Sequence, residues 1–393
     1  MTLSNQPLLI KNVTIYTEDE AISNGSILIH NGVITSVHGM NEEGETIPED
    51  TRTIDGSGMT AIPGFIDGHI HGANGADAMD ATEEALDTMA SFLPKEGTTS
   101  FLATTMTNST ENIEKALANA GDYKQKDGYA EVIGVHLEGP FVEKSKAGAQ
   151  PQEHIEEPDV EKFKKWQEMS GNKIRTITMA PEHDTDGSFI QELASQGVNV
   201  SAGHTDANFE GIKRAIPYGL HQLTHLCNQM NGIHHRDIGA VGAAFQLEDL
   251  QAELIADGVH VASEMLQLIY RNVGSDQLIL ITDAMRAKGL PDGDYELGGQ
   301  PVIVSDGKAV LENGTLAGSI LKMRDAAKRM LELNDADIRD IIKMTAVNPA
   351  KQVGVYDRKG SITKGKDADL LLVDDDLNIQ YSLCRGTIAY KGE

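Results

Sequence analysis

Apolar and polar positions follow two different textures along this chain. The first 60 or so residues hold short β-type runs, LLIKNVTIY and GSILIHNGVITSV, and Asn31-Gly32 between two apolar stretches marks a two-residue hairpin turn. The tail resumes that texture in GSITKGKDADLLLVDDD and LCRGTIAYKG. Neither end is long enough to build its own core, so together they predict one small β-sandwich. Between them, eight compact apolar runs appear: AIPGFIDGHI, TTSFLATT, AEVIGVHLE, IRTITMAP, VNVSAGH, HQLTHLCN, QAELIADG and LILITDA. Most are followed by stretches with apolar residues at helical spacing, such as TENIEKALANAG, SFIQELASQG, ANFEGIKRAIPYG and ASEMLQLIYRNVG. This alternation predicts an α/β protein with a (β/α)8 TIM barrel.

The expected division is a β-sandwich domain from residues 1–61 and 354–393, and a barrel domain from residues 62–353. After the eighth run, PVIVSDGKAVLENG reads as an inserted hairpin turning at Asp306-Gly307. The segment SILKMRDAAKRMLELNDADIRDIIKMTAVNPA reads as two closing helices, the last ending before Pro349.

Composition then narrows the function. A chain of 393 residues, 40% hydrophobic, can bury a full core. Its formal charge of −27 argues against nucleic-acid or anionic-membrane partners, which need a basic footprint. No apolar run approaches the roughly 20 residues of a membrane span. The polar opening MTLSNQPLL lacks the charged and apolar regions of a signal peptide. With only two cysteines, the expected location is the reducing cytoplasm, and Cys227 reads as an inert thiol.

Metal-seeking side chains sit at or just past the ends of five of the strand-like runs. His69 and His71 are two apart, so a strand's period of two sends both to one face, where they can chelate a divalent cation. Glu138 follows VIGVHL and precedes the strand-breaking Gly139-Pro140. With His204 and His225 it supplies two nitrogens and one oxygen, the open three-ligand set of catalytic zinc sites. His69 and His71 offer a second position beside Glu138, and the residues allow one metal or two. Carboxylate and imidazole ligands suit zinc, iron or manganese. His136, one pleat deeper than Glu138, reads as a hydrogen-bonding support rather than a ligand. Asp283 ends the apolar run LILIT, where a carboxylate is costly to bury without a task; it reads as the general base of a metal-dependent hydrolase.

In the order PGFIDGHIHG, HLEGPF, SAGHT, THLCNQM and ITDAM, these motifs resemble the amidohydrolase superfamily and, within it, the N-acetylglucosamine-6-phosphate deacetylases. The resemblance covers nearly the whole chain. Many superfamily relatives bridge two metals with a carboxylated lysine on the fourth strand; here that strand ends in TMAPEH, and Glu138 takes the bridging place. The resemblance implies hydrolysis of the N-acetyl group of N-acetyl-D-glucosamine 6-phosphate, with a galactosamine epimer or a cyclic amide as rival substrates and a non-catalytic scaffold as the remote alternative. It implies sugar-phosphate contacts from Asn228, Gln229, His260, Ala149 and Leu316, the last in GTLAGS. It also implies a homodimer in which Arg236 reaches the phosphate of the neighbouring subunit. Gln150 stands where other members place a histidine beside the sugar. Some members carry Gln and Asn at the positions of His69 and His71 and hold one metal, so this pair leans toward two.

Overall fold

The computed structural model describes residues 6–39 and 47–392. Residues 1–5, 40–46 and 393 of the expected β-sandwich, including the start of MTLSNQPLL, lie outside the described residues. The eight apolar runs form one parallel sheet in chain order: β1 (Phe65–Ile70), β2 (Thr98–Thr104), β3 (Glu131–Glu138), β4 (Ile174–Met179), β5 (Asn199–Ala202), β6 (Leu220–Leu223), β7 (Gln251–Ile255) and β8 (Leu278–Ile281). A parallel bridge between Ile70 and Ala284 brings the end of β8 back to β1. There the Asp283 amide donates to the His69 carbonyl at 2.8 Å, and the Thr282 hydroxyl donates to the Asp67 carboxylate at 2.6 Å. These bonds close the barrel beside the candidate chemistry.

One main helix follows each strand: α1 (Glu83–Phe92), α2 (Thr110–Asp122), α3 (Val160–Met169), α4 (Ser188–Ser195), α5 (Phe209–Ala215), α6 (Gly239–Gln246), α7 (Ser263–Val273) and α8 (Met323–Leu333). Local sequence starts several of them. The side chains of Thr82, Ser109, Asp159 and Asn208 accept from the first-turn amides of α1, α2, α3 and α5. Their apolar faces pack on strands that are buried on both sides, as a parallel sheet requires.

The run AIPGFIDGHI is not one strand. It breaks at Gly64: Thr60–Pro63 belongs to the sheet built from the chain ends, and β1 begins at Phe65. A Cβ on Gly64 would lie 2.2 Å from Oγ1 of Thr99, so only glycine fits where the chain crosses between the sheets. Thr60–Pro63 pairs in parallel with Leu8–Tyr16 and antiparallel with Leu370–Val373, which joins the two ends of the chain. The resulting eight-stranded sheet encloses a separate core that includes Ile10, Ile27, Leu370 and Leu383. Its Asn31-Gly32 turn has positive φ at both residues, the conformation such a hairpin needs.

Charged groups tie this small sheet to the entry end of the barrel. Glu131, the first residue of β3, pairs with Arg358 at 2.7 Å and with the buried Lys359 at 2.8 Å. Lys359 also pairs with Asp369, and Arg358 with Asp367 at 2.7 Å.

Two elements differ from expectation. The insertion after β8 has three strands, because Gly293–Leu297 adds to the hairpin of Gln300–Ser305 and Lys308–Leu311. Its polar, exposed pattern gives a strand little signature in sequence. The last helical segment also does not stop before Pro349: Ile338–Ile342 continues through a π-helical turn at Lys343–Val347 into Asn348–Gln352. The wider turn relieves the clash and the missing amide that proline brings to a regular α-helix.

Candidate active site

The site lies at the carboxyl ends of the barrel strands, and its ligands follow a positional rule. His204, His225 and Asp283 each stand two residues past the end of their strand, with φ of 47°, 33° and 48°. Left-handed backbone is uncommon outside glycine and is strained; three such residues around one barrel mouth mark a functional site. Glu138 is the last residue of β3, while His69 and His71 bracket the end of β1. Gly72 permits the tight exit after His71, since a Cβ there would lie 2.4 Å from the Ala76 carbonyl and 2.7 Å from the Arg286 amide.

The segment after Glu138 is anchored by its apolar residues. Phe141 is fully buried, edge-on to Phe189 with ring centroids 5.3 Å apart and stacked on Trp166 at 5.9 Å. Burying Phe141 fixes the chain that carries Glu138.

Four imidazoles converge on that carboxylate. From Oε1 of Glu138 it is 3.2 Å to Nε2 of His204, 3.3 Å to Nε2 of His225 and 3.4 Å to Nε2 of His69. Oε2 lies 3.3 Å from Nε2 of His71, and Oδ1 of Asp283 lies 3.2 Å from the same nitrogen. The Nε2 atoms of His204 and His225 approach to 3.1 Å.

These distances fit a divalent cation. Ligand atoms about 2.1 Å from a tetrahedral ion stand about 3.4 Å from each other, close to the spacings in this cluster. Among the described residues, His69 Nε2 is buried with no hydrogen-bond partner, and four groups have metal-binding spacing: Glu138 with His204 and His225, Glu138 with His69 and His71, His69 with His136 and Glu253, and Glu143 with Glu182 and His183. The electrostatics agree. Burial opposes charge on His71, but hydrogen bonds to Asp283 and Glu138 push it up to about 10, and neighbouring carboxylates likewise raise His69. Burial would raise Glu138, yet the charge on His69 and hydrogen bonds from His204 and His225 hold it well below the usual carboxylate range. Asp283 is held at about 2, where His69 and His71 outweigh burial. The cluster draws in positive charge, which a metal supplies.

His136 is engaged differently. Its Nδ1 lies 3.1 Å from the Gly68 carbonyl and its Nε2 2.7 Å from the Thr178 hydroxyl, while burial and the nearby His69 charge push it well below its ordinary value. Both ring nitrogens of His136 are thereby taken up by protein partners. Burial pushes the Cys227 thiol up to about 12, so it carries little thiolate.

The cleft above these ligands is lined by the expected Ala149, Gln150, Asn228, Gln229, His260 and Leu316. Gln150 is committed on both sides, donating to Glu138 Oε2 at 2.7 Å and accepting from the Thr107 amide at 2.9 Å. His260 is held by Asp257, with Nδ1 to Oδ2 at 2.6 Å. Arg236 is not brought to this cleft. It is exposed on the loop after β6, 2.6 Å from Nε2 of His235, beside a separate groove that includes Phe209 and Ile238.

Sequence reasoning missed Glu253 and Asp257. Glu253 is buried in β7, 3.0 Å from Nδ1 of His69. Its signal was a carboxylate at the centre of the apolar run QAELIADG, and that of Asp257 was its place three residues before His260.

Residues 60–390 match the Amidohydrolase family. The chain is 46% identical over 389 residues to an N-acetylglucosamine-6-phosphate deacetylase of Bacillus subtilis, covering 98% of each chain. It is 33% identical to an N-acetylgalactosamine-6-phosphate deacetylase of Escherichia coli O157:H7, covering 95% of this chain and 97% of that one. The crystal structure of N-acetylglucosamine-6-phosphate deacetylase from Thermotoga maritima superimposes with a TM-score of 0.86 at 34% identity, over 98% of this chain and 100% of that one. With a barrel, a small β domain and a histidine-carboxylate cluster at the strand ends, this chain belongs to the amidohydrolase family and, within it, to the N-acetylglucosamine-6-phosphate deacetylases.

Proposed function

We propose that this chain hydrolyses the N-acetyl group of N-acetyl-D-glucosamine 6-phosphate, giving D-glucosamine 6-phosphate and acetate. The observation that carries the reading is the convergence of Glu138, His69, His71, His204 and His225 beside an ionised Asp283, in a chain 46% identical to such a deacetylase. The 33% identity to an N-acetylgalactosamine-6-phosphate deacetylase ranks that epimer second.

Glu138, His204 and His225 would hold one divalent cation of the zinc, iron or manganese class, and His69 and His71 with Glu138 a second. Bound there, a cation supplies Lewis acidity that makes water a stronger acid and the acetyl carbonyl a better electrophile. Asp283 accepts a proton from the attacking water, for which its ionised carboxylate is suited. It then delivers that proton to the amide nitrogen as the carbon–nitrogen bond breaks; without it, expulsion of the amine would be slow. Oδ1 of Asp283 lies 3.2 Å from Nε2 of His71, which places the carboxylate beside the cation position.

The sugar phosphate lies remote from the bond being cut and serves to hold the substrate. Asn228, Gln229 and His260 line the cleft and can donate to sugar and phosphate oxygens. Arg236, exposed and away from its own cleft, is assigned to the phosphate of a neighbouring subunit in a homodimer, where a planar guanidinium suits a phosphate. A cytoplasmic location accords with two free cysteines and with the lack, among the described residues, of any helix long and apolar enough to cross a membrane. Acetate release from the phosphosugar, lost on chelation and restored by a divalent cation, tests the assignment.

A further inference from the structure

Glu253 has no place in the chemistry above, yet it is a 1% exposed carboxylate directly beneath the site. Burying such a charge is costly unless its oxygens are bonded. Oε2 lies 3.0 Å from Nδ1 of His69 and accepts weakly from the His225 amide at 3.4 Å. Oε1 accepts from Nε2 of Gln222 at 2.7 Å. Gln222 in turn accepts from Nδ2 of Asn199 at 3.3 Å, and Asn199 reaches the Thr176 hydroxyl at 3.5 Å. A polar chain thus crosses the barrel interior from β4 through β5, β6 and β7 to β1. Gln222 and the His225 amide both donate to Glu253, and an ionised carboxylate can only accept, so His69 is the donor at Nδ1. Nε2 of His69 is then the nitrogen left facing Glu138, and it is the one with no hydrogen-bond partner.

We propose that Glu253 is the positioning residue for the second cation position: by accepting from Nδ1 of His69 it holds the ring with Nε2 directed at that position, and so gives the His69/His71 half its affinity. This rests on the two-cation reading. Among the described residues, Glu253 makes no side-chain hydrogen bond or ion pair with Glu138, His204 or His225, and it accepts from the His225 backbone amide. Glutamine in place of Glu253 keeps the volume but removes the charge, and its amide would turn a donor toward either His69 or Gln222.

The test uses the full-length protein loaded with zinc. Zinc affinity is read by chelator competition, and the buried Nδ1–H of His69 by low-field proton NMR, assigned through its loss in His69→Asn. Wild type is expected to hold two zinc ions per chain and to show the signal. Glu253→Gln should retain one zinc ion, bind the second about 10- to 100-fold more weakly, and lose the signal. Should that variant not fold, Gln222→Met removes the donor to Oε1, together with the acceptor of the Asn199 amide, and leaves the Glu253 carboxylate in place; it should shift the signal and weaken the second zinc by less. A signal that survives Glu253→Gln, or stays unshifted in Gln222→Met, overturns the proposal. So does second-site affinity equal to wild type in either variant. One zinc ion in wild type, with the signal present and lost in Glu253→Gln, instead refutes the two-cation reading and leaves the coupling of Glu253 to His69 standing.

Discussion

Nε2 of His204 and Nε2 of His225 lie 3.1 Å apart, each ring carried by a residue in left-handed backbone two positions past its strand. Two buried imidazole nitrogens this close to each other, and both facing Oε1 of Glu138, stand at the spacing that two ligands of one cation take. His225→Ala is therefore expected to lower the cation content of the purified protein by at least one equivalent per chain while the barrel stays folded. Elemental analysis beside circular dichroism checks it, and unchanged metal content would remove His225 from the ligand set.

Asp283 is predicted to act on protons rather than to hold the metal alone. Asp283→Asn should retain at least the cation at Glu138, His204 and His225 and lose about 100- to 10,000-fold in kcat, the range for a general acid-base group. Steady-state rates with metal content measured on the same sample decide this. A variant with near-normal turnover would end the assignment.

Arg236 should affect binding more than chemistry. Losing a charge-assisted contact worth about 1.5–3 kcal/mol corresponds to roughly a 10- to 100-fold rise in KM for the phosphorylated sugar. Arg236→Ala should leave KM for unphosphorylated N-acetylglucosamine nearly unchanged. Equal effects on both substrates would show that Arg236 does not meet the phosphate.

The clamp between the barrel and the small sheet predicts an acid limit to stability. Burial would raise Glu131, but hydrogen bonds and charge from Arg358 and Lys359 lower it from 4.5 to about 2. A carboxylate depressed in the folded state stabilises fully above its unfolded value and loses that contribution as pH falls from about 4.5 toward 2. Glu131→Gln leaves Lys359 with one partner fewer in a buried setting and should cost about 3 kcal/mol at neutral pH. Thermal melts across acid pH should show wild type and variant converging as the pH drops; a constant difference would place the stabilisation elsewhere.

Much of this protein was legible before its structure. The compact apolar runs and the glycine-marked turn at Asn31-Gly32 were visible because burial and backbone conformation write directly into local composition. The candidate ligands were legible because each lies at the end of such a run, where a polar side chain needs a reason. Glu253 was hidden for the opposite cause: it sits inside β7, and only pairing across the barrel to His69 reveals its role. The break at Gly64 was hidden too, since an apolar run looks the same whether it serves one sheet or two. Pro349 misled because a π-helical turn, invisible in local pattern, lets the helix pass it. Gln150 lines the cleft as expected, but its bonds to Glu138 and Thr107 were hidden, since tertiary approach fixes them.

The most direct test of the central claim is acetate release by the purified protein from three substrates in parallel: N-acetylglucosamine 6-phosphate, N-acetylgalactosamine 6-phosphate and unphosphorylated N-acetylglucosamine. The expected result is fast release from the first, much slower release from the other two, and loss of all three on chelation with recovery on adding a divalent cation. Preference for the galactosamine epimer, or release that survives complete removal of metal, would contradict the account.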